Sequence, residues 1–239
     1  LMVNEPVRSS TDGVLSCLVF THCVIVLLAA YHGLHHGRGC LDPHNDKWGQ
    51  DLVTTNQRPF NNGRWGLSGC SITEKNHVGI FAVGDIIPTL QLAHVGFAEG
   101  IMVAEEIAGL NPRPINYDGI PRVTYSDPEV ASVGLTTATA KERGYDVVEL
   151  SYDLAGNGKA NILKTSGSVK LVAQKDGPVL GIHMVGARVG ELLAEAQLIF
   201  NWEADASDVA QLIHAHPTLS EAVGEAHLAL AGKPLHAHG

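Results

Sequence analysis

From Pro121 to the C-terminus, short strand-like runs alternate with helical runs, and this pattern restricts the fold more than any other feature of the chain. Arg122–Tyr125 and Glu129–Val133 read as strands around Asp127-Pro128. Thr136–Arg143 suits a short helix closed by Gly144, and Asp146–Tyr152 is a further strand. Ser168–Gln174 and Val179–Val185 flank Lys175-Asp176-Gly177-Pro178, the pattern of a hairpin. Val189, Leu192, Leu193, Ala196 and Ile199 fall on one face of a helix. Asp208–Ile213 and Leu219–Ala231 read as the last two helices. Elements in this order make an α+β domain of about 110 residues, a usual domain size.

Upstream, Val78–Val83 is an apolar run that ends at Gly84-Asp85, as a buried strand would. Leu92–Ala108 has helical spacing and stops at Gly109, with Pro112 and Pro114 beyond it. The texture changes near Asn76. Between His32 and Thr73 no period of 2 or 3.6 is sustained, and turn residues bracket nothing. After Val78 neighbouring signals agree, as they do in a sequence selected to fold.

Composition excludes several classes. Hydrophobic residues make up 45% and charged residues 17%, as in globular proteins. The net charge is −9, from 16 Lys and Arg against 25 Asp and Glu, and no basic stripe is present, so no nucleic-acid partner is expected. Cys17, Cys23, Cys40 and Cys70 make no CxxC pair. His32, His35, His36, Cys40 and His44 match no zinc spacing, so no metal is expected. Val14–Tyr31 is almost wholly apolar and lacks Asp, Glu, Lys and Arg. It sits at the lower length limit of a membrane span, about 17 residues, and Arg8 precedes it. Ser16, Thr21 and His22 weigh against a span, so the expectation is a buried segment and no membrane partner.

The run HAHPTLSEA, His214–Ala222, carries the chemistry. Pro217 has a fixed φ and no N–H, which suits the start of a helix and lets the preceding side chain project. Glu221 can hydrogen-bond one nitrogen of His216 and leave the other to move protons. Thr218-Leu219-Ser220-Glu221 is equally a capping box, with Thr218 as N-cap and Glu221 at N3. Local pattern leaves His214 and His216 as alternative imidazoles.

FAVGDI at Phe81–Ile86, LQLAHVGFAEG at Leu90–Gly100, VTYSDPEVASVG at Val123–Gly134 and HAHPTLSEAVGEA at His214–Ala226 occur in this order. Together they resemble the C-terminal part of the flavin-dependent pyridine nucleotide–disulfide oxidoreductases. LAGNGKANILKTSG at Leu154–Gly167 and GEAHLALAGKPL at Gly224–Leu235 make the chain most similar to the bacterial dihydrolipoamide dehydrogenases within that family. The resemblance implies residues 117–239 as a dimerisation domain with an antiparallel sheet and helices. It implies residues 76–116 as the end of an FAD-binding α/β domain and leaves 1–75 unassigned. It implies His216 as acid/base and Glu221 as the carboxylate that orients it. Gly84 and Asp85 then hold the ribityl chain of FAD, and Gln91, Leu92, Ala93 and His94 set a helix start against the flavin. The implied activity is oxidation of dihydrolipoyl groups through a redox disulfide and FAD to NAD. The implied partners are a second copy, whose flavin site receives His216, and the lipoyl-bearing acyltransferase of a 2-oxo acid dehydrogenase complex in a bacterial cytoplasm.

The family's two GxGxxG sites do not precede Asn76, and Gly33–Gly39 has the wrong glycine spacing. The family's redox cysteines have four residues between them; Cys17 and Cys23 have five, so that role is not transferred. The preferred expectation for the first part is sequence read in the wrong frame, with a replaced N-terminus or an unrelated domain as alternatives. A non-catalytic dimerisation module and a related reductase such as glutathione reductase remain the alternative functions.

Overall fold

The computed structural model describes the backbone of residues 7–8, 14–19 and 25–29, and residues 83–236 except the side chains of Ile86 and Ile107. Strands β1 (Val7–Arg8), β2 (Val14–Val19) and β3 (Ile25–Ala29) pair antiparallel in sequence order, with Leu15 opposite Ala29 and Val19 opposite Ile25. The apolar Val14–Tyr31 run thus folds back on itself in its described part. Val14, Val19, Ile25 and Val26 are β-branched, which favours a pleated strand over a helix. Among the described residues no helix is long and apolar enough to cross a membrane. Cys23 and the histidines at 32, 35, 36 and 44 lie outside the described residues, as does all but Val83 of the expected strand at 78–83.

The chain divides between Tyr117 and Asp118 into two compact units. In the first, a 3-10 turn at Gly84–Ile86 leads to helix α1 (Ala93–Ile107). Val95, Glu99 and Val103 are fully or almost fully buried and recur every four residues, so they share its inner face. Gly109 closes the helix at φ 73°, a left-handed position that glycine takes without strain.

The second unit is built on five antiparallel strands. β4 (Arg122–Thr124) and β5 (Glu129–Gly134) lead to helix α2 (Thr137–Glu142), then β6 (Val147–Asp153) and helix α3 (Gly158–Leu163). β7 (Ser168–Gln174) and β8 (Val179–Gly186) form the hairpin expected from Lys175–Pro178. Helices α4 (Val189–Asn201), α5 (Ala206–Val209) and α6 (Glu221–Leu230) complete the unit. The sheet order is β4-β5-β8-β7-β6.

Alternation along the strands decides the layers. Val169 and Leu171 of β7 join Ile182 and Met184 of β8 in the main core, against Val189, Leu193, Ala196 and Ile199 of α4 and Ala222, Val223 and Ala226 of α6. Val172, the residue after Leu171 on β7, joins a smaller cluster with Leu135, Ala140 and Leu180. Helices α4 and α6 therefore bear on one core, and their outer residues are fixed relative to one another.

Two elements differ from the sequence reading. The helix expected at Asp208–Ile213 runs instead over Ala206–Val209. It starts at a capping box of Asp205 and Asp208, and Leu212 and Ile213 are exposed. Their apolar character extended the apparent period without any core to receive it. Helix α3 went unseen because a glycine occupies its first position, a poor helix former. Its start is fixed instead by Asn157, whose side chain accepts from the Ala160 N–H at 2.9 Å.

Candidate acid/base and flavin-facing sites

The segment from Leu212 to Thr218 links α5 to α6 and carries both candidate histidines. At its end the Thr218 N–H donates to Glu221 Oε2 at 2.7 Å, and the Glu221 N–H donates to Thr218 Oγ1 at 3.4 Å. These bonds have the reciprocal pattern of a capping box, but they lie just ahead of α6, whose first residue is Glu221 and whose N-cap is Ser220 rather than the expected Thr218. The other oxygen, Oε1, lies 2.9 Å from His216 Nδ1. The cap and the imidazole partner, alternatives in the sequence, coexist because one carboxylate has two oxygens. Asn157, itself buried, donates from Nδ2 to Thr218 O at 3.0 Å and ties the start of α3 to the same corner.

Burial pushes the Glu221 carboxyl up. The Thr218 N–H and His216 outweigh it and hold the group below the usual carboxylate range. Glu221 is thus ionised at neutral pH and only accepts. His216 must then carry its hydrogen on Nδ1, which leaves Nε2 to take and release protons. The His216 side chain is 75% exposed.

His214 has the opposite setting. Its side chain is 13% exposed, and Nε2 lies 2.7 Å from Glu195 Oε1 on α4. The structure thus separates two imidazoles that local pattern could not. A third pair, His236 Nδ1 and Glu225 Oε1 at 2.9 Å, fastens the chain after α6 to that helix, with the His236 N–H donating to Glu225 Oε2 at 3.0 Å.

The residues expected to face a flavin lie in the first unit. Gly84 is buried, and Asp85 is half-buried with no hydrogen bond to its carboxylate among the described residues. Gln91 is exposed, with Nε2 3.5 Å from Asp85 O. Leu92 is the N-cap residue of α1 and offers no side-chain cap, while Ala93 and His94 open the helix on its exposed side. A helix start without a side-chain cap and an available carboxylate suit a ligand that brings hydroxyls and negative charge. Among the described residues, these groups fit the ribityl and ring parts of a flavin.

Glu99 organises this corner and was missed in the sequence. It is fully buried, accepting from the Gly84 N–H at 2.6 Å, the Thr89 O–H at 2.9 Å and the Tyr117 O–H at 2.8 Å. Burial, then the Glu99 carboxylate, drives the Tyr117 hydroxyl well above its ordinary pKa. The available signal was a carboxylate within the apolar stripe Val95–Val103, where a charge needs partners. Glu99→Gln can keep the two hydroxyl donors but must turn an NH₂ toward the Gly84 N–H. Leaving that buried donor unpaired is expected to cost about 1–3 kcal/mol in denaturant unfolding of the first unit. An unchanged midpoint would show that Gly84 finds another acceptor.

Residues 120–227 match the family described as pyridine nucleotide-disulphide oxidoreductase, dimerisation domain. The chain is 44% identical over 188 residues to a dihydrolipoyl dehydrogenase of Bacillus subtilis, covering 78% of this chain and 38% of that protein. It is 40% identical over 163 residues to the mitochondrial dihydrolipoyl dehydrogenase 2 of Arabidopsis thaliana, covering 67% of this chain and 32% of that protein. The chain thus spans less than half the length of these relatives. Among solved structures, LpdA from Mycobacterium tuberculosis superposes with a TM-score of 0.61 at 21% identity, covering 96% of this chain and 48% of that one. The flavoprotein disulfide reductase RclA from Escherichia coli superposes with a TM-score of 0.58 at 22% identity, covering 63% of this chain and 35% of that one. At those identities the likeness concerns the fold alone. Residues 120–227, an α+β unit of antiparallel strands and helices, thus match the dimerisation domain of the pyridine nucleotide–disulphide oxidoreductases.

Proposed function

We propose that this chain supplies the acid/base end of a dihydrolipoyl dehydrogenase site. The observation that carries the reading is the exposed His216 ring, its Nδ1 fixed by an ionised Glu221 and its Nε2 without a hydrogen-bond partner among the described residues. His216 Nε2 takes a proton from a thiol of the dihydrolipoyl group, and the thiolate is the form that attacks a disulfide. The resulting imidazolium is stabilised by Glu221 and later releases its proton. Over the whole reaction the dithiol loses two electrons and two protons: the electron pair and one proton leave on NAD⁺ as a hydride, and the other proton goes to solvent. FAD, when bound, carries the electron pair between the two. Gly84 and Asp85 would hold its ribityl hydroxyls, and Gln91, Leu92, Ala93 and His94 would turn the positive end of α1 toward its ring.

On this reading residues 76–116 end an FAD-binding domain, 117–239 form the interface domain, and 1–75 remain unassigned. His216 serves the flavin site of a second copy. Leu212 and Ile213 support a covering partner: these residues are 58% and 99% exposed, immediately before the two histidines. A lipoyl-bearing acyltransferase of a 2-oxo acid dehydrogenase complex is the partner that presents the dithiol, and the bacterial cytoplasm is the matching compartment.

The test is flavin titration of the purified chain with sedimentation in parallel. The expected result is a dimer that binds FAD, with affinity reduced about tenfold or more in Asp85→Ala through lost hydroxyl hydrogen bonds. A dimer that binds no flavin favours a non-catalytic association module. A monomer that binds none ends the reading.

A further inference from the structure

We infer that His214 and Glu195 form a strut that fixes where the His216 ring is presented, so both are positioning residues. The inference rests on the role proposed for His216 and adds what places that ring. The N–H groups of residues 213–216 donate to no backbone acceptor among the described residues. No helix or sheet ladder therefore holds this stretch, and side chains must do so. Downstream of His216 the anchors are Asn157, Glu221 and the Thr218 O–H, which donates to Ala215 O at 2.6 Å. Upstream the anchor is His214. Its Nε2 meets Glu195 Oε1 at 2.7 Å, and Glu195 stands on α4 between Leu193 and Ala196, both in the main core.

The other side of the His214 ring is closed by α6. A Cβ built on Gly224 would lie 2.6 Å from His214 Nδ1 and 2.8 Å from Cε1. The glycine leaves the ring just enough room against the helix backbone. The ring is thus gripped between a carboxylate on one core helix and the backbone of another. Two residues on, His216 inherits that position. Where reacting atoms must be aligned, a displacement of about 1 Å can cost on the order of 10²-fold in rate.

Two substitutions attack the strut from opposite sides. Glu195→Ala removes the acceptor and puts a strong helix former at a partly exposed position. Gly224→Ala raises the helix propensity of α6 and forces the ring outward. The readout is the ring ¹⁵N spectrum of His216 in the whole chain, where hydrogen bonding to Glu221 selects the Nδ1–H form. In both variants that form is expected to give way to a mixture of tautomers, while the core amides of Val169 and Ile182 keep their shifts. Glu195→Gln retains a carbonyl acceptor and is expected to restore the parent spectrum. The inference is overturned if His216 keeps its Nδ1–H signature in Glu195→Ala while His214 is released. It is also overturned if Glu195→Gln behaves like Glu195→Ala. Neither flavin nor dithiol is needed, so this failure is separate from a failure of the His216 assignment itself.

Discussion

Replacing His216 by glutamine in a flavoenzyme carrying this segment is expected to slow dihydrolipoamide-dependent reduction of NAD⁺ by about 10²–10⁴-fold, the usual contribution of a general acid/base. Glutamine is chosen for physical reasons. Its NH₂ can donate to Glu221 Oε1 as Nδ1 does now, at 2.9 Å, so the capping box at Thr218 is kept. The ring is 75% exposed, so little packing is lost. Stability should stay within about 0.5 kcal/mol of the parent. What disappears is a ring nitrogen that can accept a proton and return it. Glu221→Gln should also slow turnover: with the amide carbonyl on the Thr218 N–H, its NH₂ faces His216 Nδ1 and favours the tautomer whose Nε2 carries the hydrogen, and the charge that favours the imidazolium is gone. Both variants would be read by steady-state rates across pH, with thermal unfolding as the control. A glutamine variant that keeps most of its turnover would remove His216 from the chemistry.

Acid should destabilise the second unit well before its carboxylates are protonated, and His227 is the cause. It is fully buried in α6, with Nδ1 2.7 Å from Val223 O and Nε2 without a partner among the described residues. The carbonyl only accepts, so Nδ1 carries the hydrogen and Nε2 is a bare lone pair in an apolar setting. Burial pushes the ring down to about 4; the Val223 carbonyl opposes this and the nearby His214 adds to it. Below its unfolded pKa, about 6.5, the unfolded chain takes up a proton that the folded chain refuses. The neutral ring's contribution is therefore fully present above about 6.5 and is lost as pH falls toward about 4. The loss is about 3 kcal/mol over that window. Urea unfolding at a series of pH values measures it, with His227→Leu as the comparison. That variant should lose most of the slope, leaving the part due to His183, which burial also pushes down, while giving up about 1 kcal/mol for the Val223 hydrogen bond. Equal slopes in the two proteins would assign the acid sensitivity to other groups.

Much of the described fold was legible because its signals were local. The hairpin of β7 and β8, the glycine-closed helices α1 and α2 and the apolar face of α4 all follow from periodicity and turn chemistry within a few residues. The reading failed where apolar residues had no core to meet, as at Leu212 and Ile213. It also failed where a helix owed its start to a side chain rather than to its own propensity, as at Asn157. The corner around Gly84 and Asp85 was visible as a motif, but Glu99, which braces it from 15 residues away, was not.

The sequence by itself determined the order of strands and helices and the spacing that brings Glu221 within reach of His216, because an N-terminal capping box is set by four consecutive residues. Only the tertiary structure decided which histidine faces outward. That choice depends on Glu195, 19 residues before His214, and on Gly224 leaving space for a ring. Burial and pairing between distant elements follow from how helices close over a sheet, and no short stretch of sequence contains that information.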